Sequence, residues 1–286
     1  MNRQKSFEGN IPSLYLVPTP IGNLSEMSPR AIEILQGVDV IACEDTRTSG
    51  SLLRHFGISK RLIAYHNFNE ETSSKGILSL LEEGKNVALI SDAGYPLIND
   101  PGQRIVLDAT EAGYPVIPVS GPSAFLNALV ASGLIAQPFI FVGFLPQSNH
   151  DREKKLQEYV KYPMTMVFYE APHRIEKMLQ SCLKVFGDRH CVLARELTKV
   201  HEEFIRGTIS EILPELPTLK GEMVIVMEGC TENPEEEVDM EAVLNRIQES
   251  IASGISARDA IRQAAKETGI AKNVLYDMVH SSERSE

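Results

Sequence analysis

Three short loops hold residues well suited to gripping a small ligand. VPTPIGN (17–23), SDAGYPLINDPG (91–102) and VSGPSA (119–124) each combine glycine and proline with a hydroxyl or carboxylate, and each follows an apolar run of strand character. At the carboxyl end of a strand in an open parallel sheet, backbone groups are free and the next helix offers N–H donors, so ligands bind there. Gly94, Gly102 and Gly121 would let the backbone approach a ligand closely, although any α/β fold also needs such turns. Other chemistries are missing their signatures. Neither GxxxxGK[ST] nor a GxGxxG after a strand occurs, and His201-Glu202-Glu203 runs into Phe204-Ile205 instead of completing HExxH. The seven histidines are dispersed, so no metal site is expected. GPSAF (121–125) lacks the last glycine of a nucleophile elbow. P-loop, metalloprotease and serine-hydrolase readings are excluded.

The elements that must position these loops alternate regularly. LYLV (14–17), VDVIAC (38–43), RLIAYH (61–66), NVALIS (86–91) and YPVIPVS (114–120) are continuous apolar runs with helical patterns between them, which predicts a mainly parallel five-stranded sheet covered on both faces. Ser28 followed by Pro29 reads as the cap and first residue of a helix. From 138 the strands lengthen: FIFVGF, MTMVFY, CVLAREL, EEFIRGTI and GEMVIVME, with helices near 149–161 and 173–185. The short link between 191–197 and 202–209 predicts a hairpin, hence a mixed sheet. The fold class is α/β, with an N-terminal α/β domain over 1–122, a second over 123–230, and an appendage over 231–286.

The appendage opens with TENPEEEVDME, an acidic run that reads as a solvated linker or helix start. Beyond it, Ala257, Ala260, Ile261, Ala264 and Ala265 share one helical face, Gly269 marks a turn, and Ile270, Val274, Leu275 and Met278 fall on the next helix. Small residues, a glycine turn and a second short helix form a helix-turn-helix pattern, or a plain helical hairpin.

Composition narrows the class. With 286 residues, 43% hydrophobic and 23% charged, the chain has material for two packed domains without disulfides or structural metals. The net charge of −11 opposes indiscriminate nucleic-acid binding. Residues 231–286 hold 12 acidic against 6 basic groups, so the remaining body is only mildly acidic and a specific RNA site stays open. Cysteines at 43, 182, 191 and 230 lack CxxC spacing and read as reduced thiols. With no apolar run of about 18 residues and no apolar leader after MNRQKSFEGN, no membrane association and a cytoplasmic location are expected.

Read in order, VPTPIGNLSEMSPRA, CEDTRTSGSLLRHFGI, SDAGYPLINDPG and VSGPSAFLNAL resemble the tetrapyrrole-methylase superfamily of S-adenosylmethionine-dependent enzymes. FYEAPHR (168–174), ARELTKVHEEFIRG (194–207) and KGEMVIVMEG (220–229) continue the resemblance, and SARDAIRQAAKETGIAKNVLY is similar to a helix-turn-helix appendage found in one branch. That branch methylates the ribose 2′-oxygen of a cytidine in the decoding region of 16S rRNA. Tyr95 and Cys43 depart from its common threonine and alanine.

The resemblance implies that S-adenosylmethionine lies between the two α/β domains. Pro20 and Gly22 would line one side, and Asp92, Ala93, Gly94 and Pro96 another. Ser120, Gly121, Pro122, Ser123 and Ala124 would meet its methionine and ribose parts, with Phe144, Tyr169 and Met223 around the adenine. A ribose hydroxyl is a poor nucleophile, and a positioned base adds about 10²–10⁴-fold. Asp45, Glu170, His173 and Glu196 are the candidates, and transfer by positioning alone is the alternative. Arg47, Arg174, Arg195 and Lys199 would clamp RNA phosphate and sugar, or pair with neighbouring acids at the surface. The expected partners are 16S rRNA within the small ribosomal subunit and a second copy of the chain, because superfamily members pair. Two other readings remain: the same fold acting on a tetrapyrrole or other small molecule, and a non-enzymatic nucleic-acid-binding regulator.

Overall fold

The structure, a computed structural model, describes residues 3–6, 8–66, 70–231, 240–268 and 270–282. The first sheet contains β1 (Leu14–Val17), β2 (Val40–Cys43), β3 (Arg61–Ala64), β4 (Val87–Ile90) and β5 (Val116–Pro118). Their order is β3-β2-β4-β1-β5 and every neighbouring pair is parallel. The five apolar runs thus become five strands, and β2 and β4 are buried along their whole length, as central strands covered on both faces must be. Alternation across the pleat divides the side chains between two layers. Ile41, Cys43, Ala88 and Ile90 pack against α1 (Pro29–Gly37) and α2 (Thr46–His55), whereas Val40, Ala42, Val87 and Leu89 meet α3 (Glu70–Glu82) and α4 (Gln103–Glu111). Ser28 caps α1 as its sequence predicts, its hydroxyl accepting from Ala31 N at 3.1 Å with Pro29 in the first position.

After α5 (Ala124–Ser132) a second sheet forms from β6 (Phe139–Phe144), β7 (Thr165–Glu170), β8 (His190–Arg195), β9 (Glu203–Thr208) and β10 (Met223–Met227). Its order is β6-β7-β10-β8-β9, with β6 and β7 parallel and the other pairs antiparallel. The short link after β8 does make a hairpin with β9, and the sheet is mixed. Met223, Ile225 and Met227 of β10 face a core shared with α6 (Asn149–Gln157), α7 (Ile175–Phe186) and α8 (Ile209–Ile212). Val224 and Val226 face Ala128 and Leu129 of α5. Arg206 closes α5 by donating to the carbonyls of Ser132 and Ala131, where the helix dipole favours a cation.

Residues Met1–Gly229 form one compact unit and Cys230–Glu286 another. The second unit contains α9 (Met240–Ala252), α10 (Ala257–Thr268) and α11 (Lys272–Ser282), which bury Val243, Ile247, Ala260, Ile261, Leu275 and Val279. Ala264, Ala265 and Ile270 pack at the edge of this core. Val274 departs from the sequence pattern and is exposed, because Leu275 and Val279, four apart, set the inward stripe of α11. Gly269 and the acidic stretch 232–239 lie outside the described residues. Among the described residues no helix is long and apolar enough to cross a membrane.

Candidate active site

The loops after β1 and β4 are bound to each other before they reach any ligand. Thr19 and Gly94 exchange both backbone hydrogen bonds, at 2.9 and 3.0 Å, while Thr19 Oγ1 donates to Ser91 O and Ser91 Oγ donates to Gly94 O. Gly94 has φ of +79°, a conformation that costs a side-chain-bearing residue about 1 kcal/mol or more. The β1 loop also touches the second sheet: a Cβ on Gly22 would strike the Lys199 and Thr198 side chains and approach Leu197 O. Gly22 therefore allows the two sheets to close at this corner.

Between the sheets lies a cleft of about 440 Å³, within the usual range of small-ligand pockets. The β4 loop supplies Asp92, Ala93, Gly94, Tyr95 and Asp100, and the start of α5 supplies Ser123, Ala124 and Phe125. The second sheet supplies Phe144, Tyr169, Glu170 and Met223 from strand ends. Phe144 and Phe141 both pack edge-on to Tyr169, with centroids 5.7 and 5.1 Å away. Two phenols hold the walls in place: Tyr169 Oη accepts from Phe125 N at 3.1 Å, and Tyr95 Oη accepts from Gly121 N at 2.9 Å. Tyr95, the departure from the common threonine, thereby ties the β4 loop to the β5 loop.

The cleft is rich in carboxylates. Desolvation, with Glu44 and Asp92 nearby, pushes Asp100 up to about 6. The residues before it, Leu97 and Asn99, both have positive φ, at +71° and +66°, so backbone strain is concentrated where the loop presents this acid. Burial, reinforced by Asp100, raises the Tyr169 phenol to about 12 and keeps it neutral. Glu170 is fully buried; its Oε1 accepts from Ala171 N at 2.9 Å and pairs with Arg174 Nε at 3.1 Å. Its Oε2 is buried with no hydrogen-bond partner among the described residues, so one wall of the cleft holds an acceptor in need of a donor.

Of the residues expected to bind the cofactor, Asp92, Ala93, Gly94, Ser123, Ala124, Phe144, Tyr169 and Met223 line this cleft. Pro20 and Gly22 line a smaller recess of about 200 Å³ next to it, and Asp92 borders both. Pro96 and Pro122 are buried beside the cleft loops, and Ser120 and Gly121 are exposed in the loop that Tyr95 holds. A Cβ on Gly121 would press on the Pro18 ring, which accounts for the glycine by packing.

Among the candidate bases, Glu170 reaches the cleft wall. Asp45 caps α2, accepting from Arg47 N at 2.8 Å, and that hydrogen bond holds its carboxyl below the usual range. His173 is exposed in the turn before α7. Glu196 accepts from Lys199 Nζ and Glu222 N, and the lysine bond lowers its carboxyl. Among the candidate clamps, Arg174 is occupied by Glu170 and Leu145 O, Arg195 by Glu203 and Lys220 O, and Lys199 by Glu196 and Glu222. Arg47 extends into solvent with 92% of its side chain exposed, 3.6 Å from Asp45. Asp100, Phe125 and Glu222 went unassigned in the sequence. Asp100 was the most legible of them, an acid in the same Pro/Gly loop as Asp92.

The model of the family described as Tetrapyrrole (Corrin/Porphyrin) Methylases matches residues 13–213. A Bacillus subtilis protein named Ribosomal RNA small subunit methyltransferase I is 43% identical, over 98% of this chain and 99% of its own. Its namesake from Escherichia coli O157:H7 is 42% identical over 96% and 97%. Among solved structures, a cobalt precorrin-4 methyltransferase superposes with a TM-score of 0.56 at 17% identity, covering 76% of this chain and 94% of that one. A uroporphyrin-III-C-methyltransferase from Thermus thermophilus gives 0.52 at 21%. The parallel sheet, the mixed sheet and the cleft at their facing strand ends are the architecture of that fold, and the chain belongs to the tetrapyrrole methylase family.

Proposed function

We propose that the protein transfers a methyl group from S-adenosylmethionine to the ribose 2′-oxygen of a cytidine in the decoding region of 16S rRNA. The observation that carries this reading is the near end-to-end similarity to relatives named for small-subunit rRNA methylation, in a chain whose cleft suits such a cofactor. The fit is chemical. A flat adenine suits the Phe144 and Tyr169 walls, the unpartnered Glu170 Oε2 suits an amine or hydroxyl donor, and Asp92 and Asp100 suit a cation. The bound cofactor supplies a methyl group activated by its positively charged sulfur.

The chain's task is then to hold an acceptor oxygen in line with that methyl and to exclude water. Tyr169 and Tyr95 hold the cleft walls, and the α5 N-terminus offers N–H donors beside Ser123. Glu170, on the wall, is the best placed of the four candidate bases, while Asp45 heads the helix that borders the recess. Arg47 is the candidate clamp left extended for a phosphate. A homodimer is supported by α5, which is apolar apart from Asn127 and Ser132 yet leaves Val130 73% exposed, close in sequence to Ile135, also 73% exposed. Action on ribosomal subunits implies a cytoplasmic location.

The test uses tritiated S-adenosylmethionine with small subunits from cells lacking the enzyme, followed by alkaline hydrolysis of the RNA. Label in an alkali-resistant dinucleotide is expected, because a methylated 2′-oxygen cannot attack its phosphate. Label in a mononucleotide would move the methyl to a base. Intact cofactor binding without label would favour a small-molecule acceptor.

A further inference from the structure

The turn between β8 and β9 is strained in a way that a surface hairpin does not need. Glu196 and Thr198 both have positive φ, at +51° and +67°, a conformation that residues with a side chain avoid. Thr198 Oγ1 is buried without a hydrogen-bond partner among the described residues. Gly221, at φ of +93°, leaves no room for a Cβ because the Glu196 side chain lies on it. Such strain persists only where the surroundings over-determine the geometry, and it gathers at functional sites. Lys199 is what holds this turn. Its Nζ bridges Glu196 Oε1 at 3.0 Å and Glu222 Oε2 at 2.8 Å, and Glu222 N donates to the same Glu196 oxygen at 3.1 Å. Thr198 N donates to Glu202 Oε2 at 2.7 Å. The hydrogen bond to Glu222 raises the Lys199 ammonium above its ordinary value, so the bridge stays charged.

The turn reaches the cleft on one side and the first sheet on the other. Leu197 is 7% exposed and lines the cleft together with Ile21, Glu222 and Met223. Ile21 of the β1 loop packs against the same apolar layer as Leu197. The Lys199 stem and the Thr198 hydroxyl lie against Gly22, the next residue of that loop. The β1 loop is itself bonded to the β4 loop through Thr19 and Gly94. One side chain thus ties a wall supplied by the second sheet to two loops of the first. We infer that Lys199 is a positioning residue for methyl transfer: by drawing Glu196 and Glu222 together it seats Leu197 in the cleft and braces the β1 loop, which sets the width in which donor and acceptor meet. The inference rests on the proposed reading, in which S-adenosylmethionine occupies the cleft and RNA supplies the acceptor. It replaces the expectation that Lys199 clamps RNA, since its charge is already taken up by two carboxylates. In-line transfer is sensitive to such a brace, because a misplacement of about 1 Å costs about 10²-fold in rate.

The experiment uses the full chain and three variants: Lys199→Met keeps an unbranched stem without charge, Lys199→Arg keeps the charge, and Glu222→Gln changes the exposed partner. The first arm needs no ligand. Hydrogen exchange at the Thr19 and Gly94 amides is expected to quicken at least tenfold in Lys199→Met while the β2 amides stay as in the wild type. A change confined to residues 196–203 would overturn the inference. The second arm measures S-adenosylhomocysteine affinity and the kinetics of methyl transfer to small subunits. In Lys199→Met, kcat is expected to fall about 10–100-fold, affinity for S-adenosylhomocysteine to weaken several-fold, and KM for subunits to stay within threefold. Lys199→Arg should recover most of the kcat. Adding Glu222→Gln to Lys199→Met should cost little more, because both changes remove one bridge; fully additive losses would count against it. A phosphate clamp would give the opposite split, with a raised KM, a salt slope lower by about 0.7–0.9 and unchanged kcat, and that result overturns the inference. Quicker exchange or a lower melting temperature with unchanged kcat marks a structural bridge and overturns it as well. If the wild type labels no RNA, the RNA reading falls alone, and the exchange and S-adenosylhomocysteine results still decide the role of Lys199.

Discussion

Replacing Asp100 by asparagine probes the electrostatics of the cleft directly. With desolvation and the nearby carboxylates of Glu44 and Asp92 holding Asp100 at about 6, about 97% of molecules carry its charge at pH 7.5 but only about 9% at pH 5. The proposed cofactor, S-adenosylmethionine, is cationic at sulfur and its demethylated product is neutral there, so the charged form of Asp100 should favour the cofactor. If that form is the competent one, apparent affinity scales with the charged fraction, a weakening of about tenfold between pH 7.5 and 5. The sign for stability is opposite. A carboxyl raised above its ordinary value in the folded state stabilises the protein below that value and loses this contribution as pH rises through 6. Asp100→Asn should thus raise the melting temperature of the ligand-free protein at pH 7.5. The raised value corresponds to about 3 kcal/mol before screening, and the partial exposure of the side chain reduces it to about 1 kcal/mol. Calorimetric titration with S-adenosylmethionine and with S-adenosylhomocysteine across pH 5–8 is the assay. The wild type should show the tenfold slope for the cationic ligand and a much shallower one for the neutral product, and Asp100→Asn should be flat for both. An unchanged slope in the variant, or equal slopes for the two ligands, would refute the assignment of this charge.

Further consequences concern the walls and the assembly. Tyr169→Phe removes the acceptor for Phe125 N–H at the head of α5 and should cost about 1–3 kcal/mol in urea unfolding while weakening cofactor binding. Arg174→Ala strands the buried Glu170 carboxylate; a loss of about 3–5 kcal/mol is expected, with Arg174→Lys recovering only part of it because the Leu145 carbonyl contact needs the guanidinium fork. If the proposed homodimer forms through α5, light scattering should report a dimer for the wild type and a monomer for Val130→Asp, which places a charge on the exposed face of that helix. Removal of residues 231–286 should leave cofactor titration unchanged, since that stretch is a separate compact unit, and reduce transfer to ribosomal subunits; undiminished transfer would deny the appendage a role in RNA docking.

Local pattern was enough for the elements themselves. Uninterrupted apolar runs such as VIAC and VALI, buried on both faces, identify themselves as parallel strands, and the Ser28-Pro29 pair announces its helix because capping and proline geometry act within one turn. The same held for the sheet edge at which the cleft forms, since Gly and Pro after a strand report the backbone's local needs, and for the family resemblance carried by the loops. Sequence could not say which charged groups are spent on one another. Along the chain Arg174, Arg195 and Lys199 read either as RNA clamps or as surface ion pairs, and their actual partners Glu170, Glu203, Glu196 and Glu222 are brought to them by turns and strand pairing, over separations from 3 to 23 residues. Tertiary structure likewise decided the character of Asp100, whose raised carboxyl depends on burial beside Glu44 and Asp92. It also divided Pro20 and Gly22 from the main cleft and set them in a second recess. A side chain's type travels with the sequence, whereas its desolvation and its partners exist only once distant segments have packed together.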